Sequence, residues 1–157
     1  MQKKMLAIVG VIVVLIIALY FVIDYKNNKA LEDNPYGTND LDQATIDQLD
    51  DPNYGNQILP DDLIEQIDNG DAVTVYYYSP ICVYCQNTTP YLSPLAEDMG
   101  VDMKKLNLLE FSNEVTRFGI TSTPTLVYYE DGEEVIRLEG QKTEEEYEKF
   151  FEEYVLN

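Results

Sequence analysis

The chain has 157 residues, 45% hydrophobic and 11% aromatic, which suits one globular domain with a modest core once any membrane segment is set aside. Its 29 acids against 10 bases give a net charge of −19, which argues against nucleic acid or an anionic membrane surface as partner, because phosphates would be repelled. The chain has no histidine, which excludes Ser-His-Asp and Cys-His catalysis and every His-ligated metal site, and two cysteines cannot enclose a four-thiolate zinc site within one chain.

Met5 to Ile23 is an uninterrupted apolar run without a charge, just long enough to span a bilayer as a helix. Lys3 and Lys4 precede it, so the positive-inside rule puts residues 1–4 in the cytoplasm and everything after Tyr25 outside. The run closes on Ala18-Leu19-Tyr20-Phe21, where a cleavage site would want small residues, so 5–23 reads as an uncleaved signal anchor. Residues 24–57 are polar and acidic, with Asn34-Pro35, Tyr36-Gly37, Asp51-Pro52 and Tyr54-Gly55 as turn signals. They read as an acidic linker with a short helix near 41–49. Their aspartates lack the calcium-loop pattern, and no metal site is expected.

From Ile58 the pattern becomes dense. Pro60-Asp61-Asp62 opens a short helix that Gly70 closes. Ala72–Tyr78 is a continuous run of β-formers, which suits a strand buried on both faces. Tyr76, Tyr77 and Tyr78 are then core residues. Val83–Met99 is a helix with an apolar face, interrupted by Pro90, which should kink it, and by Pro94. A strand at 101–108, a short helix at 111–118 and a strand at 125–129 follow. Glu130-Asp131-Gly132 is a hairpin turn into a strand at 135–138. Thr143 and Glu146 form a capping box, and Tyr147, Phe150, Phe151 and Tyr154 make the buried stripe of a last helix. The order is βαβ then ββα: an α/β fold with one central mixed sheet flanked by helices, in residues 58–157, behind an N-terminal transmembrane helix.

The two cysteines form Cys82-Val83-Tyr84-Cys85 at the junction of strand and helix. A helix start offers unpaired N–H groups that favour a thiolate at Cys82. Cys85 lies one turn later on the same face, close enough to close a disulfide. At this point metal, staple and redox uses all remain open.

The chain over about 58–157 resembles the thioredoxin superfamily. The resemblance rests on the strand before Cys82-Val83-Tyr84-Cys85, on Pro90 five residues past the second cysteine, and on Lys105-Leu106-Asn107-Leu108. It rests further on Arg117 to Leu126 around Thr123-Pro124-Thr125, and on the ending from Tyr129 through Gly140 to a helix. The family's common Trp-Cys-Gly-Pro-Cys stands here as Ile81-Cys82-Val83-Tyr84-Cys85, and the chain has no tryptophan. In cytoplasmic thioredoxins a buried acid lies six residues before the first cysteine; here that position is Tyr76. Lys105 matches the lysine that accompanies the acid.

The resemblance implies a membrane-anchored, extracytoplasmic thiol–disulfide oxidoreductase of bacteria, single-pass, with its N-terminus cytoplasmic. Cys82 would be the nucleophile and Cys85 the resolving cysteine. Thr123 and a cis Pro124, with Ile81 and Tyr84, would contact substrate, and Lys105 would support proton transfer. No cofactor is required. The partners would be cysteine-containing exported proteins and a redox protein that recycles the pair. A reading of another class makes the domain a non-catalytic binding or scaffold module of a secretion or envelope complex, with the pair as a structural disulfide. The loop such a bridge would close is too short to stabilise much.

Overall fold

A computed structural model describes the backbone of residues 2–157 and side chains from Lys4 onward. Of the cytoplasmic end expected for residues 1–4, Met1 and the side chains of residues 2 and 3 lie outside the described residues. The chain divides into two compact units, Met1–Asn34 and Pro35–Asn157.

The first unit is helix α1, Gln2–Leu31. Thirty residues at 1.5 Å per residue make about 45 Å, more than the hydrocarbon core of a bilayer. Its segment Lys4–Leu31 is long and apolar enough to cross a membrane, and its apolar side chains from Met5 to Ile23 are exposed throughout. The helix runs past Ile23, because nothing between Asp24 and Leu31 breaks it.

The second unit is built on four strands, β1 (Val73–Tyr78), β2 (Met103–Asn107), β3 (Thr125–Glu130) and β4 (Glu133–Glu139), in the order β2-β1-β3-β4. β1 and β2 are parallel; β3 is antiparallel to β1 and to β4. Asp131 and Gly132 turn between β3 and β4 with φ of 52° and 83°, the two positive values of a tight two-residue hairpin. Helices α2 (Gln43–Ile46), α3 (Pro60–Asp68), α4 (Val83–Asp98), α5 (Glu114–Arg117) and α6 (Glu144–Phe150) surround the sheet. The last turns on as a π-helix, Phe151–Val155.

All six β1 residues are buried, and their alternation divides the core in two. Tyr76 and Tyr78 meet Cys85, Leu92 and Ala96 of α4 and Tyr147, Phe150 and Phe151 of the last helix. Val73, Val75 and Tyr77 meet Leu63 of α3, Leu106, Leu108 and Val127 on the other face. The strand-to-helix crossover brings the start of α4 to the end of β1. α6 starts with the expected capping box: Thr143 accepts from the Glu146 amide, and Glu146 accepts from the Thr143 amide. α4 remains one helix of 16 residues with both prolines inside it.

One region departs from its sequence reading. Residues 35–57 are not a free linker; they form a strap packed on the sheet side of the second unit. Tyr36 and Thr45 are buried. The buried Asn107 amide donates to Tyr36 Oη at 3.1 Å and to Thr45 Oγ1 at 3.0 Å. Asn56 and Ile58 bracket Lys105 on the edge of β2: the Lys105 amide donates to the Asn56 carbonyl and the Ile58 amide to the Lys105 carbonyl. Ser93 on α4 donates to the Asn53 carbonyl at 2.7 Å. Polar, turn-rich composition looks like a linker in sequence, but here the turns place polar groups against buried partners that would otherwise be unsatisfied.

Candidate active site

β1 ends at Tyr78, and Ser79-Pro80-Ile81 turns the chain into α4. The Cys82 amide donates to the Ser79 carbonyl, which closes that turn. Cys82 is the N-cap of α4, in extended conformation, and its sulfur takes the place of the usual capping oxygen: the Cys85 amide donates to Cys82 Sγ at 3.2 Å. The Cys82 thiol donates to the Thr123 carbonyl at 3.3 Å. The Thr123–Pro124 peptide bond is cis. Both cysteines are free thiols; Cys82 is half-buried and Cys85 fully buried.

The two sulfurs sit in opposed environments. Burial works against the Cys82 thiolate, yet hydrogen bonds from Cys85, from Thr123 and from the Cys85 and Tyr84 backbone outweigh it and hold its pKa below the ordinary thiol value. For Cys85, burial comes first and its thiol is pushed up to about 12, with the hydrogen bond to Cys82 adding to the rise. The resulting pair has one sulfur poised to ionise and one held as a thiol.

Around the pair the surface is apolar and open. Ile81, Val83 and Tyr84 are 63%, 64% and 62% exposed. A cleft of about 610 Å³ opens beside Tyr84, lined also by Ser122, Thr123, Gly140, Lys142 and Glu146 among others. The structure therefore brings together Cys82, Cys85, Tyr84, Thr123 and Pro124; Ile81 stands exposed on the turn before them. Lys105 is different. It is buried on β2 opposite Tyr76, and its ammonium donates to the Gly55 carbonyl at 3.0 Å. It lines a second cleft of about 340 Å³ with Glu97 and Asp102, and no hydrogen bond joins it to either cysteine. Burial lowers its pKa to about 8 against the pull of Asp102 and Glu97.

Sequence reasoning missed Thr89 and Tyr54. Thr89 is buried one turn past Cys85, donates to the Cys85 carbonyl at 2.8 Å and meets the Tyr76 hydroxyl at 3.2 Å. Its position four residues beyond Cys85 on the helix was the available signal. Tyr54 packs into the same cluster as both cysteines from the strap, and nothing local in 24–57 pointed there.

The chain is similar to known proteins over this region. The thioredoxin family model matches residues 57–153. A thioredoxin of Chlamydia pneumoniae is 35% identical over 74 residues, 46% of this chain and 72% of that protein. Thioredoxin-related transmembrane protein 1 of Homo sapiens is 30% identical over 97 residues, 60% of this chain but 34% of that protein's length. The solved structure of a mutant thioredoxin from Halobacterium salinarum superposes with a TM-score of 0.54 at 26% identity, covering 62% of this chain and 88% of that one. The matched stretch includes the Cys82–Cys85 turn, the cis Thr123–Pro124 bond and the four-stranded sheet that holds them together. The chain belongs to the thioredoxin family.

Proposed function

We propose that the protein is a membrane-anchored thiol–disulfide oxidoreductase whose domain works outside the cytoplasm on cysteines of exported proteins. The observation that carries this is the half-exposed Cys82 sulfur capping α4 with its pKa lowered, one turn from the buried Cys85 thiol. Cys82 thiolate attacks a substrate disulfide. A Cys82–substrate bond forms, and the other substrate sulfur leaves as thiolate. Cys85 then gives up its proton and attacks the Cys82 sulfur. The second substrate thiolate leaves and the pair is oxidised by two electrons. Run in reverse, the same steps donate a disulfide to a substrate dithiol. Thr123 and Pro124, beside Cys82 Sγ, with Tyr84 and Ile81 on the exposed rim, form the substrate-contact surface. An extended substrate segment would pair with the Thr123 backbone. A separate redox protein recycles the pair.

Residues 5–23 serve as the anchor, with Lys3 and Lys4 holding the N-terminus inside. The test of the chemistry is insulin reduction, and oxidation of a reduced substrate, by the full chain and by Cys82→Ala. Equal rates for the two proteins in both directions would sink the reading. Topology is tested by protease treatment of intact cells: digestion of the domain supports the orientation, and protection overturns it.

A further inference from the structure

Residues 118–124 join α5 to β3, and the Thr123 carbonyl that meets Cys82 Sγ belongs to this loop. The loop has neither helix nor strand of its own. Side chains of β4 hold it at its start. Arg137 Nη1 donates to the Gly119 carbonyl at 2.9 Å, and Nη2 donates to the Phe118 carbonyl at 3.2 Å. The Thr121 hydroxyl donates to Glu139 Oε1 at 2.9 Å. At the other end the Thr125 hydroxyl donates to the Ser122 carbonyl at 2.8 Å, and the Gly140 amide to the Pro124 carbonyl at 2.7 Å. The loop is thus tied on both sides of Thr123.

Arg137 is aimed before it meets the loop. Its Nε donates to Glu134 Oε1 at 2.6 Å and its Nη2 to Glu134 Oε2, a two-pronged pair within β4. Glu139 Oε1 lies 3.6 Å from Nη1. The Arg137 side chain is only 25% exposed, so water competes weakly for its donors. The planar head with five N–H groups can hold one carboxylate and still reach two carbonyls; a lysine ammonium has no such fork. The Phe118 ring packs 5.4 Å from that of Tyr77, so the carbonyls that Arg137 grips sit on a fixed base.

We propose that Arg137, oriented by Glu134, is a positioning residue for peptide recognition: by gripping Phe118 and Gly119 it sets the course of the loop and holds the Thr123 backbone where an extended substrate pairs with it, beside Cys82. This rests on the redox reading above. Arg137 touches neither cysteine and takes no part in the exchange of sulfur bonds. Its effect falls on binding of the substrate backbone and spares the attack by Cys82.

The experiment uses the full chain in detergent and two probes. Each is a short peptide whose one cysteine is joined to thionitrobenzoate; in the second peptide the amides flanking the cysteine are N-methylated and cannot donate to Thr123. Cys82 thiolate forms a disulfide with the peptide sulfur, and the broken bond leaves its electron pair on thionitrobenzoate, which is read by absorbance. Varying the probe separates the half-saturating concentration from the limiting rate. Wild type should half-saturate at about tenfold lower plain peptide than methylated peptide, the scale of one hydrogen bond. Arg137→Met should raise the value for plain peptide about tenfold, with the limiting rate and the methylated peptide unchanged. Glu134→Gln, which loosens the aim but leaves the carbonyl bonds possible, should give the same split at about threefold, and it decides the matter where Arg137→Met fails to fold. Wild-type binding of plain peptide in these variants overturns the proposal. So does an equal loss on both peptides or a fall in limiting rate, since each marks a merely structural role, and so does a wild type that binds both peptides alike. In those cases wild type still releases thionitrobenzoate and the redox reading stands. A wild-type chain that releases no more than Cys82→Ala takes down both.

Discussion

The turn at Ser79–Cys85 and the strap at 35–57 are both held by hydrogen bonds, yet they spend them differently. In the turn, bonds converge on one sulfur: the Cys85 amide and the Thr123 carbonyl both meet Cys82 Sγ. In the strap they are dispersed: Tyr36 and Thr45 accept from Asn107, Asn53 from Ser93 and Asn56 from the Lys105 amide, while Gln57 donates to Tyr78. Convergence tunes a reactive group; dispersal ties a polar segment down. Changes in the turn should therefore alter chemistry without unfolding, and changes in the strap should alter stability while sparing the first chemical step.

The largest effect is expected from Cys82→Ala, which should drop insulin reduction to the uncatalysed background while thermal unfolding stays near wild type. Large destabilisation in this variant would break the contrast. Cys85→Ala comes next. It keeps the nucleophile but cannot resolve, so mixed disulfides with client proteins should accumulate and appear on non-reducing gels. Their absence from cells would count against the assignment of Cys85. On the strap side, Asn107→Ala strips partners from Tyr36, Thr45 and the Leu109 amide and should cost about 3 kcal/mol, read by denaturant titration. It should also open 35–57 to protease, with the rate of Cys82 alkylation unchanged.

The pH profile gives a finer test. Cys82 should alkylate with a midpoint below the ordinary thiol value of about 8.5, and Cys85 only near 12. The stability signs follow. The lowered Cys82 pKa contributes stability that is present above the unfolded thiol value and lost as pH falls through the folded one. The raised Cys85 pKa contributes stability that is complete below about 8.5 and lost as pH rises toward 12. Lys105, lowered to about 8, runs the other way from a paired lysine: its burial is unfavourable at neutral pH, and stability should rise between pH 8 and about 10.4. The smallest effect is the Lys105→Met change, which should flatten that rise and leave activity intact.

The strands, their gathering into one mixed sheet and the cysteine turn were readable because they are written in short-range patterns. A continuous run of β-formers ends at Tyr78, a Cys-x-x-Cys opens a helix, and Asp131-Gly132 turns a hairpin. Thr123-Pro124 was readable through the resemblance alone, because it meets Cys82 from 41 residues away. The strap was not readable. Its order depends on Asn107 and Lys105, which lie far along the chain, and its own acids and turn dipeptides carry the composition of a linker. Tyr54 was hidden for the same reason, since its neighbours are on β1 and α4. Lys105 was placed correctly on its strand, but its ammonium bonds to Gly55 of the strap, a residue assigned to the linker.

The strap has one more consequence. An open four-stranded sheet leaves two edges whose unpaired amides and carbonyls can template another chain. At β2 the main chain of 56–58 occupies Lys105 on that edge. At β4 the edge carries Glu133, Glu134, Arg137 and Glu139, charges of the kind that discourage edge-to-edge pairing. The two rims are thus guarded by different means, one by the chain's own backbone and the other by charge, and loss of the first would leave the protein prone to self-association rather than simply less stable.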